Sequence, residues 1–337
     1  MFNAKELGNY VILEEIFQNQ KTIIYSAKNK KNSKRVIIKL YNKENLIREE
    51  VSRYEYEFSI LKKLNIEGII KPIALEYIDQ RPFLVMEEFP NGGISLKNTI
   101  RNYKFDLKSS LKISIEICRV LYFLHRENII HRDIKPSNII IDKESLKIKL
   151  IDFDLSTKFK SEKLDILPIN SLIGSLQYIS PEQTGRINRN VDFRTDLYSL
   201  GISFYEFFTG KLPFQSEDSM GLIHQHIASQ PMPPFMVNPE IPITLSNIIL
   251  KLISKTPENR YQSAYGVQAD LERLLDNLQE NSFKFSALKD FAIAENDIPD
   301  QFIFQEKLYE RDKEIEFLEN SFLLASDGNP QVIMVSG

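Results

Sequence analysis

Apolar and polar positions follow two different rhythms along this chain. Up to about residue 90 the apolar residues come in short β-rich runs, Val11 to Ile16, Ile23 to Lys28 and Arg35 to Tyr41. Runs of this length, rich in Val, Ile and Tyr and bounded by polar turns, predict strands. The lysine-rich stretch Asn29 to Lys34 joins the second and third as a solvated hairpin tip. One interruption has a helical period: Ile47, Val51, Tyr54, Phe58 and Leu61 recur at alternating steps of four and three. Arg81 to Phe89 then reads as an apolar strand ended by the turn Pro90-Asn91-Gly92-Gly93.

From Asp106, a predicted N-cap, the rhythm becomes helical, with Leu107, Leu111, Ile115, Cys118 and Leu121 on one face. Short strands are expected at Ile139 to Ile141 and Lys147 to Ile151. Further helices are expected at Arg194 to Thr209, Leu245 to Ser254 and Gly266 to Gln279. Residues 281–305 lack a clear period and read as a linker. A charged helix (Arg311 to Ser326) and an apolar strand (Gln331 to Val335) close the chain. The pattern is α+β, a small strand-rich part followed by a larger helical one, with no internal repeat.

Composition narrows the class. A chain of 337 residues, 42% hydrophobic and 26% charged, has room for about two domains and is neither disordered nor fibrous. A net charge of -3 offers no basic field for nucleic acid or anionic lipid. The single Cys118 excludes an internal disulfide framework and fits a reducing compartment. No apolar run approaches the roughly 18 residues of a membrane span, and the first residues lack the apolar core of a signal peptide. A cytoplasmic location is expected.

The richest chemistry lies in His131-Arg132-Asp133-Ile134-Lys135-Pro136-Ser137-Asn138, between a helix and a strand, where a loop is held by rigid elements. Asp152-Phe153-Asp154 begins fourteen positions after Asn138, at the end of another strand. An Asn and an Asp brought together this way suit Mg²⁺, which takes a few hard oxygen ligands plus phosphate oxygens. Glu57 sits at the edge of the apolar stripe of the first helix and needs a buried partner, which Lys39 at the end of Val36-Ile37-Ile38-Lys39 supplies. Both His224 and His226 are expected on an exposed helix or loop, too few for a zinc site.

These motifs resemble the signature set of eukaryotic-type serine/threonine protein kinases over roughly residues 8–280. The resemblance implies a bilobal fold, a β-rich lobe at about 8–89 and a helical lobe at about 90–280, with ATP and Mg²⁺ as cofactors. By position, Asp133 would accept or orient the substrate hydroxyl proton, and Lys135 would neutralise the γ-phosphate. Asn138 and Asp152 would hold Mg²⁺. Lys39, paired with Glu57, would meet the α/β-phosphates. The backbones of Glu87 and Phe89 would bond adenine behind Met86, with Ile24 and Ile140 on its faces. Glu182 of Ser180-Pro181-Glu182 would pair with Arg260, and Asp196 would anchor the catalytic loop. Ser161 or Ser171 would be the regulatory phosphorylation site.

Five positions depart from the family. Phe17, Asn19 and Thr22 stand where the glycine-rich loop has glycines, which normally let backbone N–H groups approach phosphates. Ile37 replaces a small residue above adenine, and Asp154 replaces the glycine after Asp-Phe. Three readings remain open: an active protein kinase, a catalytically weak kinase-like binding module, and a small-molecule kinase of the aminoglycoside type. Leu308-Tyr309-Glu310-Arg311-Asp312-Lys313-Glu314-Ile315 resembles the lead-in of AAA-like signalling ATPases, and Gln331 to Gly337 a strand entering a P-loop. Residues 306–337 would then be a truncated ATPase start, as in a bacterial group whose kinase domain precedes an AAA-like ATPase and sensor histidine kinase modules. The chain would be a fragment or the product of a truncated gene.

Overall fold

The computed structural model describes residues 6–43, 46–89, 92–159, 176–187, 189–280 and 291–299, with isolated positions 317–318, 321 and 332–333. The chain divides into two units, Met1–Asp300 and Gln301–Gly337. Almost all of the second lies outside the described residues, including most of the apolar strand expected there and all of the expected charged helix except Phe317, Leu318 and Ser321, which are helical.

The first unit opens with an antiparallel sheet in the order β1-β2-β3-β4-β6-β5: Glu6–Leu7, Tyr10–Gln18, Thr22–Asn29, Arg35–Tyr41, Arg81–Glu87 and Pro72–Ile78. Its small core gathers Tyr10, Ile23, Tyr25, Val36, Ile38, Leu40, Phe83 and Val85. Strand β5 escaped the sequence pattern because it is an edge strand whose side chains are mostly half-buried. Its two-residue turn to β6 places Asp79 and Gln80 at φ 48° and 63°, the hairpin conformation for which Asn-Gly is the usual sequence signal. The helix α1 (Arg48–Leu61) packs on this sheet and buries Tyr54, Glu57, Ile60 and Leu61, while Ile47 stays exposed. The buried face is therefore rotated toward Glu57 relative to the apolar stripe.

The helical part is built on α3 (Leu107–Arg126) and α4 (Arg194–Thr209). Asp106 caps α3, its carboxylate accepting the Ser109 N–H at 2.8 Å. Helix α4 is buried on nearly every side over its first three turns, the pattern of a central core helix. Around them lie α2 (Leu96–Asn102), α5 (Ser219–Ala228), α6 (Pro234–Val237), α7 (Ile243–Leu252) and α8 (Ala264–Glu280). A three-stranded sheet of β7 (Ile94–Ser95), β9 (Ile139–Ile141) and β10 (Ile148–Leu150), with the pair β8 (Ile129–Ile130) and β11 (Thr157–Lys158), carries the loops of the candidate site. Residues 291–299, inside the expected linker, pack on the helical lobe: Phe291, Ile293 and Ala294 join its core cluster.

Candidate active site

The loop between β8 and β9 is held from below by one carboxylate. Asp196, fully buried in the first turn of α4, accepts the N–H groups of His131 and Arg132, each at 2.8 Å, and faces His125 Nε2 at 2.9 Å. An acid is favoured at that helix end by the macrodipole. Gln183 Nε2 donates to the Arg132 carbonyl at 2.9 Å. The His131 ring packs edge-on against Phe153 at 4.6 Å, and burial lowers its pKa. Arg132 and Asp152 hold φ values of 66° and 68°. Each such non-glycine residue costs about 1–3 kcal/mol, a cost the surrounding bonds sustain.

Held this way, Asp133 collects its neighbours. Its Oδ2 accepts Lys135 Nζ at 2.5 Å and Asn138 Nδ2 at 2.9 Å, and Asn138 Nδ2 also reaches the Asp133 carbonyl at 3.0 Å. Across the site Lys39 Nζ donates to both oxygens of Glu57, at 3.0 and 2.9 Å, and to Asp152 Oδ1 at 2.5 Å. The other link of Glu57 is the Phe153 N–H at 3.1 Å, so α1 is tied to the strand-end segment 152–154. Burial alone would lower the Lys39 pKa, but Asp152 and Glu57 outweigh it and hold it well above its ordinary value. For Asp152 burial opposes ionisation, yet Lys39 and Lys135 keep its pKa low.

Four carboxylates, Glu57, Asp133, Asp152 and Asp154, thus share two lysines. The shortfall of positive charge shows on Asp154, whose pKa burial and the neighbouring Asp152 push up to about 8. A divalent cation fits this imbalance and this set of hard oxygen donors: Asp152 together with Oδ1 of Asn138, whose Nδ2 is engaged by Asp133. Among the described residues no three His, Cys, Asp or Glu side chains could by themselves hold a metal ion.

Of the residues expected around adenine, the six-stranded sheet sets the positions of Ile24, Ile37 and Met86, whereas Ile140 lies in the separate three-stranded sheet. Ile24 pairs with Lys39, and Ile37 with Met86. Met86 is buried, whereas Ile24, Ile37 and Ile140 are half-buried. The Glu87 carboxylate is spent on Lys149 and on the Lys71 N–H, and its own N–H donates to the Lys71 carbonyl at 3.0 Å. Phe89 is buried at the end of this segment. At the degenerate loop, Asn19 Oδ1 accepts the N–H groups of Lys21 and Thr22 at 2.8 and 2.7 Å. Asn42 Nδ2 in turn holds the Asn19 carbonyl at 2.7 Å. The tip amides that a glycine loop would turn to phosphate are engaged by Asn19.

Glu182 and Arg260 form the expected pair, bidentate at 2.6 and 2.9 Å and almost fully buried. A second polar cluster was not legible in the sequence. Tyr178 Oη donates to Glu206 Oε2 at 2.5 Å, and Lys97 reaches both Glu206 and the Tyr178 hydroxyl. Its members lie far apart in the chain and share no spacing signal. His226 also departs from expectation: it is buried between Tyr198 and Phe214, because α5 turns its inner face to α4, while His224 on the opposite face is exposed. Ser161, Ser171 and the rest of 160–175 lie outside the described residues.

The β-rich sheet, the central helix and this charged cleft define a phosphotransferase architecture, and the comparisons agree with it. Residues 10–271 match the protein kinase domain family; the chain belongs to that family. It is similar to a "probable serine/threonine-protein kinase" of Clostridium perfringens, 33% identical over 274 residues that cover 80% of this chain and 39% of that protein. One from Clostridium acetobutylicum is 32% identical over 292 residues, covering 86% and 43%. A "hybrid signal transduction histidine kinase G" of Dictyostelium discoideum is 30% identical over 325 residues, covering 72% of this chain and 9% of that protein. The chain spans less than half the length of these curated relatives. The family uses ATP and a divalent metal, and among the described residues no helix is long and apolar enough to cross a membrane.

Proposed function

We propose that this chain is the catalytic module of a Mg²⁺- and ATP-dependent serine/threonine protein kinase acting in signal transduction. The observation that carries this reading is the joining of Lys39, Glu57 and Asp152 by hydrogen bonds of 2.5–3.0 Å, across from Asp133 with Lys135 and Asn138 at 2.5 and 2.9 Å. ATP would supply the transferable phosphoryl group and Mg²⁺ the charge that neutralises it. Asn138 and Asp152 are the residues that would hold the cation. Lys39, pinned by Glu57, offers fixed positive charge to the α/β-phosphates. Asp133, oriented by Asn138, accepts a hydrogen bond from the attacking hydroxyl and takes its proton. Lys135 offers positive charge where the γ-phosphate would lie. Catalysis of this kind is mostly positioning and electrostatics, so a rigid set of charges is sufficient.

Transfer of labelled phosphate from ATP to a generic protein substrate such as casein tests the reading. Wild type transfers it with Mg²⁺, EDTA abolishes transfer, and Asp133→Asn lowers it by about 10²–10⁴-fold. Equal rates for wild type and variant refute it. The engaged tip amides at Asn19 favour one second reading, a module that binds ATP weakly and signals through interaction. ATP binding without transfer in the same experiment would support that instead.

The segment after the kinase unit adds a further element. Residues 308–315 resemble an AAA-like ATPase lead-in, and one relative bears the name of a hybrid histidine kinase. Both support a module, with a kinase domain at 8–280, that works beside ATPase and histidine kinase modules inside the cell. Genomic sequence downstream of the Gly337 codon is expected to encode a G-K-[ST] in any of its frames, and its absence there counts against this element.

A further inference from the structure

Helix α8 begins with an incomplete cap. Ser263 is its N-cap, the hydroxyl accepting the Gly266 N–H at 3.0 Å. In a capping box the residue at that third position returns a carboxylate to the N–H of the cap residue. Here that position is Gly266, which has no side chain to return. The missing carboxylate comes from Asp297, thirty-one residues after Gly266. Its Oδ1 accepts both the Ser263 N–H at 2.9 Å and the Ser263 hydroxyl at 3.0 Å, and its Oδ2 accepts the Gln262 N–H at 2.6 Å. The fit leaves no room for a local substitute: a Cβ on Gly266 would lie 2.4 Å from Asp297 Oδ1 and 2.7 Å from its Cβ.

The segment carrying Asp297 is fastened along the same helix. The Ala294 N–H donates to Asp270 Oδ2 at 2.7 Å, the oxygen that also receives the Tyr261 hydroxyl. Arg273 pairs with Glu295 at 2.6 Å and stacks over Phe291 at 4.3 Å. Arg273 and the strap residues Phe291, Ala294, Glu295 and Asp297 lie beyond residue 271, where the match to the kinase family ends.

The backbone that Asp297 grips leads directly to the anchor of the activation segment. Gln262 Nε2 donates to the carbonyls of Pro257, Glu258 and Arg260 at 3.1, 3.3 and 2.9 Å, and its Oε1 accepts Arg194 Nη1 at 3.2 Å. Arg260 is the buried partner of Glu182. We propose that residues 291–299 are an intrinsic strap of the kinase unit. In it Asp297 is a positioning residue that completes the α8 cap and, through Gln262, holds Arg260 against Glu182.

The proposal rests on the kinase reading only for the role of Glu182, and hydrogen exchange tests it without any activity. In the full chain, Asp297→Asn keeps the shape and removes the charge, whereas Asp297→Gly also removes the Cβ. Exchange at Gln262 and Ser263 is expected to accelerate about tenfold or more in Asp297→Gly, and less in Asp297→Asn. Exchange at Gln183 and Thr184 should accelerate with it. In transfer assays kcat should fall while KM for ATP stays unchanged. Gly266→Glu should be harmful in the wild-type background, where its Cβ meets Asp297. In the Asp297→Gly background, where it can close a local capping box, it should restore protection at Ser263.

Unchanged exchange at 262–263 overturns the strap. Faster exchange there with no change at 183–184 leaves Asp297 a cap alone and overturns the positioning role. Gly266→Glu harming both backgrounds equally overturns the shared-cap geometry. A wild type that exchanges as described but transfers no phosphate refutes the kinase reading and leaves the strap standing.

Discussion

Breaking the Glu182–Arg260 pair from either side should give unequal losses of stability. Removing one partner of a buried ion pair costs about 3–5 kcal/mol, because a charge is left without its counterpart. In Glu182→Gln the orphan is Arg260, which keeps the carbonyls of Ser254, Lys255 and Arg194 at 2.7, 2.9 and 3.1 Å and the Tyr198 ring at 4.8 Å. The loss should sit near the low end, about 3 kcal/mol. In Arg260→Met the orphan is a carboxylate whose other side-chain partner is the Thr195 hydroxyl at 2.8 Å. Three backbone carbonyls lose a donor as well, so the loss should sit near the high end, about 5 kcal/mol.

For a domain of this size these losses are about 6–12 °C and 10–20 °C in Tm, readable by thermal unfolding followed by circular dichroism. Glu182 adds a pH signature. Burial opposes its ionisation, but Arg260 holds its pKa below the ordinary 4.5. A depressed acid contributes stability fully above the unfolded value and loses it as pH falls through the folded one. The gap between wild type and Glu182→Gln should therefore be constant above pH 4.5 and close below it. The reasoning fails if Glu182→Gln is the more damaging change, or if both shifts are within about 2–4 °C.

Other perturbations address the cleft and the core. Asn19→Gly frees the amides of Lys21 and Thr22, and steady-state kinetics should show a several-fold lower KM for ATP; a higher KM contradicts the account of the loop. Glu57→Gln removes one of the two carboxylates that Lys39 pairs with and leaves at most a neutral amide oxygen there, and kcat should drop by about tenfold or more while the fold persists by circular dichroism. Burial lowers the His226 pKa from 6.5 to about 3, so the folded protein keeps it neutral while the unfolded chain protonates. Stability present above pH 6.5 is lost as pH falls toward 3. His226→Phe should flatten that slope in Tm measured across the interval, and an unchanged slope places the cause elsewhere.

Strands 22–29 and 35–41 and helices 48–61 and 107–126 were legible from their period or from a boundary signal such as Asp106, and helix 194–209 from its dense apolar residues, which match burial on nearly every side. Strand β5 and the helices α2 and α5 were not, since β5 is a half-buried edge strand and α2 and α5 bury only two and three residues, whereas α7, as short as α5, buries six and was legible. Within the candidate site Asp133, Asn138 and Asp152 could be named because loop motifs of fixed order carry them, and Lys39 because it ends the strand run Val36-Ile37-Ile38-Lys39. The Asn19 turn, the Tyr178–Glu206–Lys97 cluster and the Asp297 strap could not, because their partners are brought near only by folding.

The sequence by itself determined local matters: which stretches are helix or strand, which loop holds the acid, lysine and amide together, and that Glu57 on a buried face requires a cation. These follow from period, capping and the cost of an unpaired charge, all encoded within a few residues. Only the tertiary structure decided that the charges of the cleft do not balance, that Asn19 occupies the tip amides, and that residues 291–299 belong to the lobe. Each of these depends on distances between groups remote in the chain, such as Asp297 and Ser263 at 2.9 Å. No pattern of neighbours along the chain fixes such a distance; it is set by the packing of the whole core.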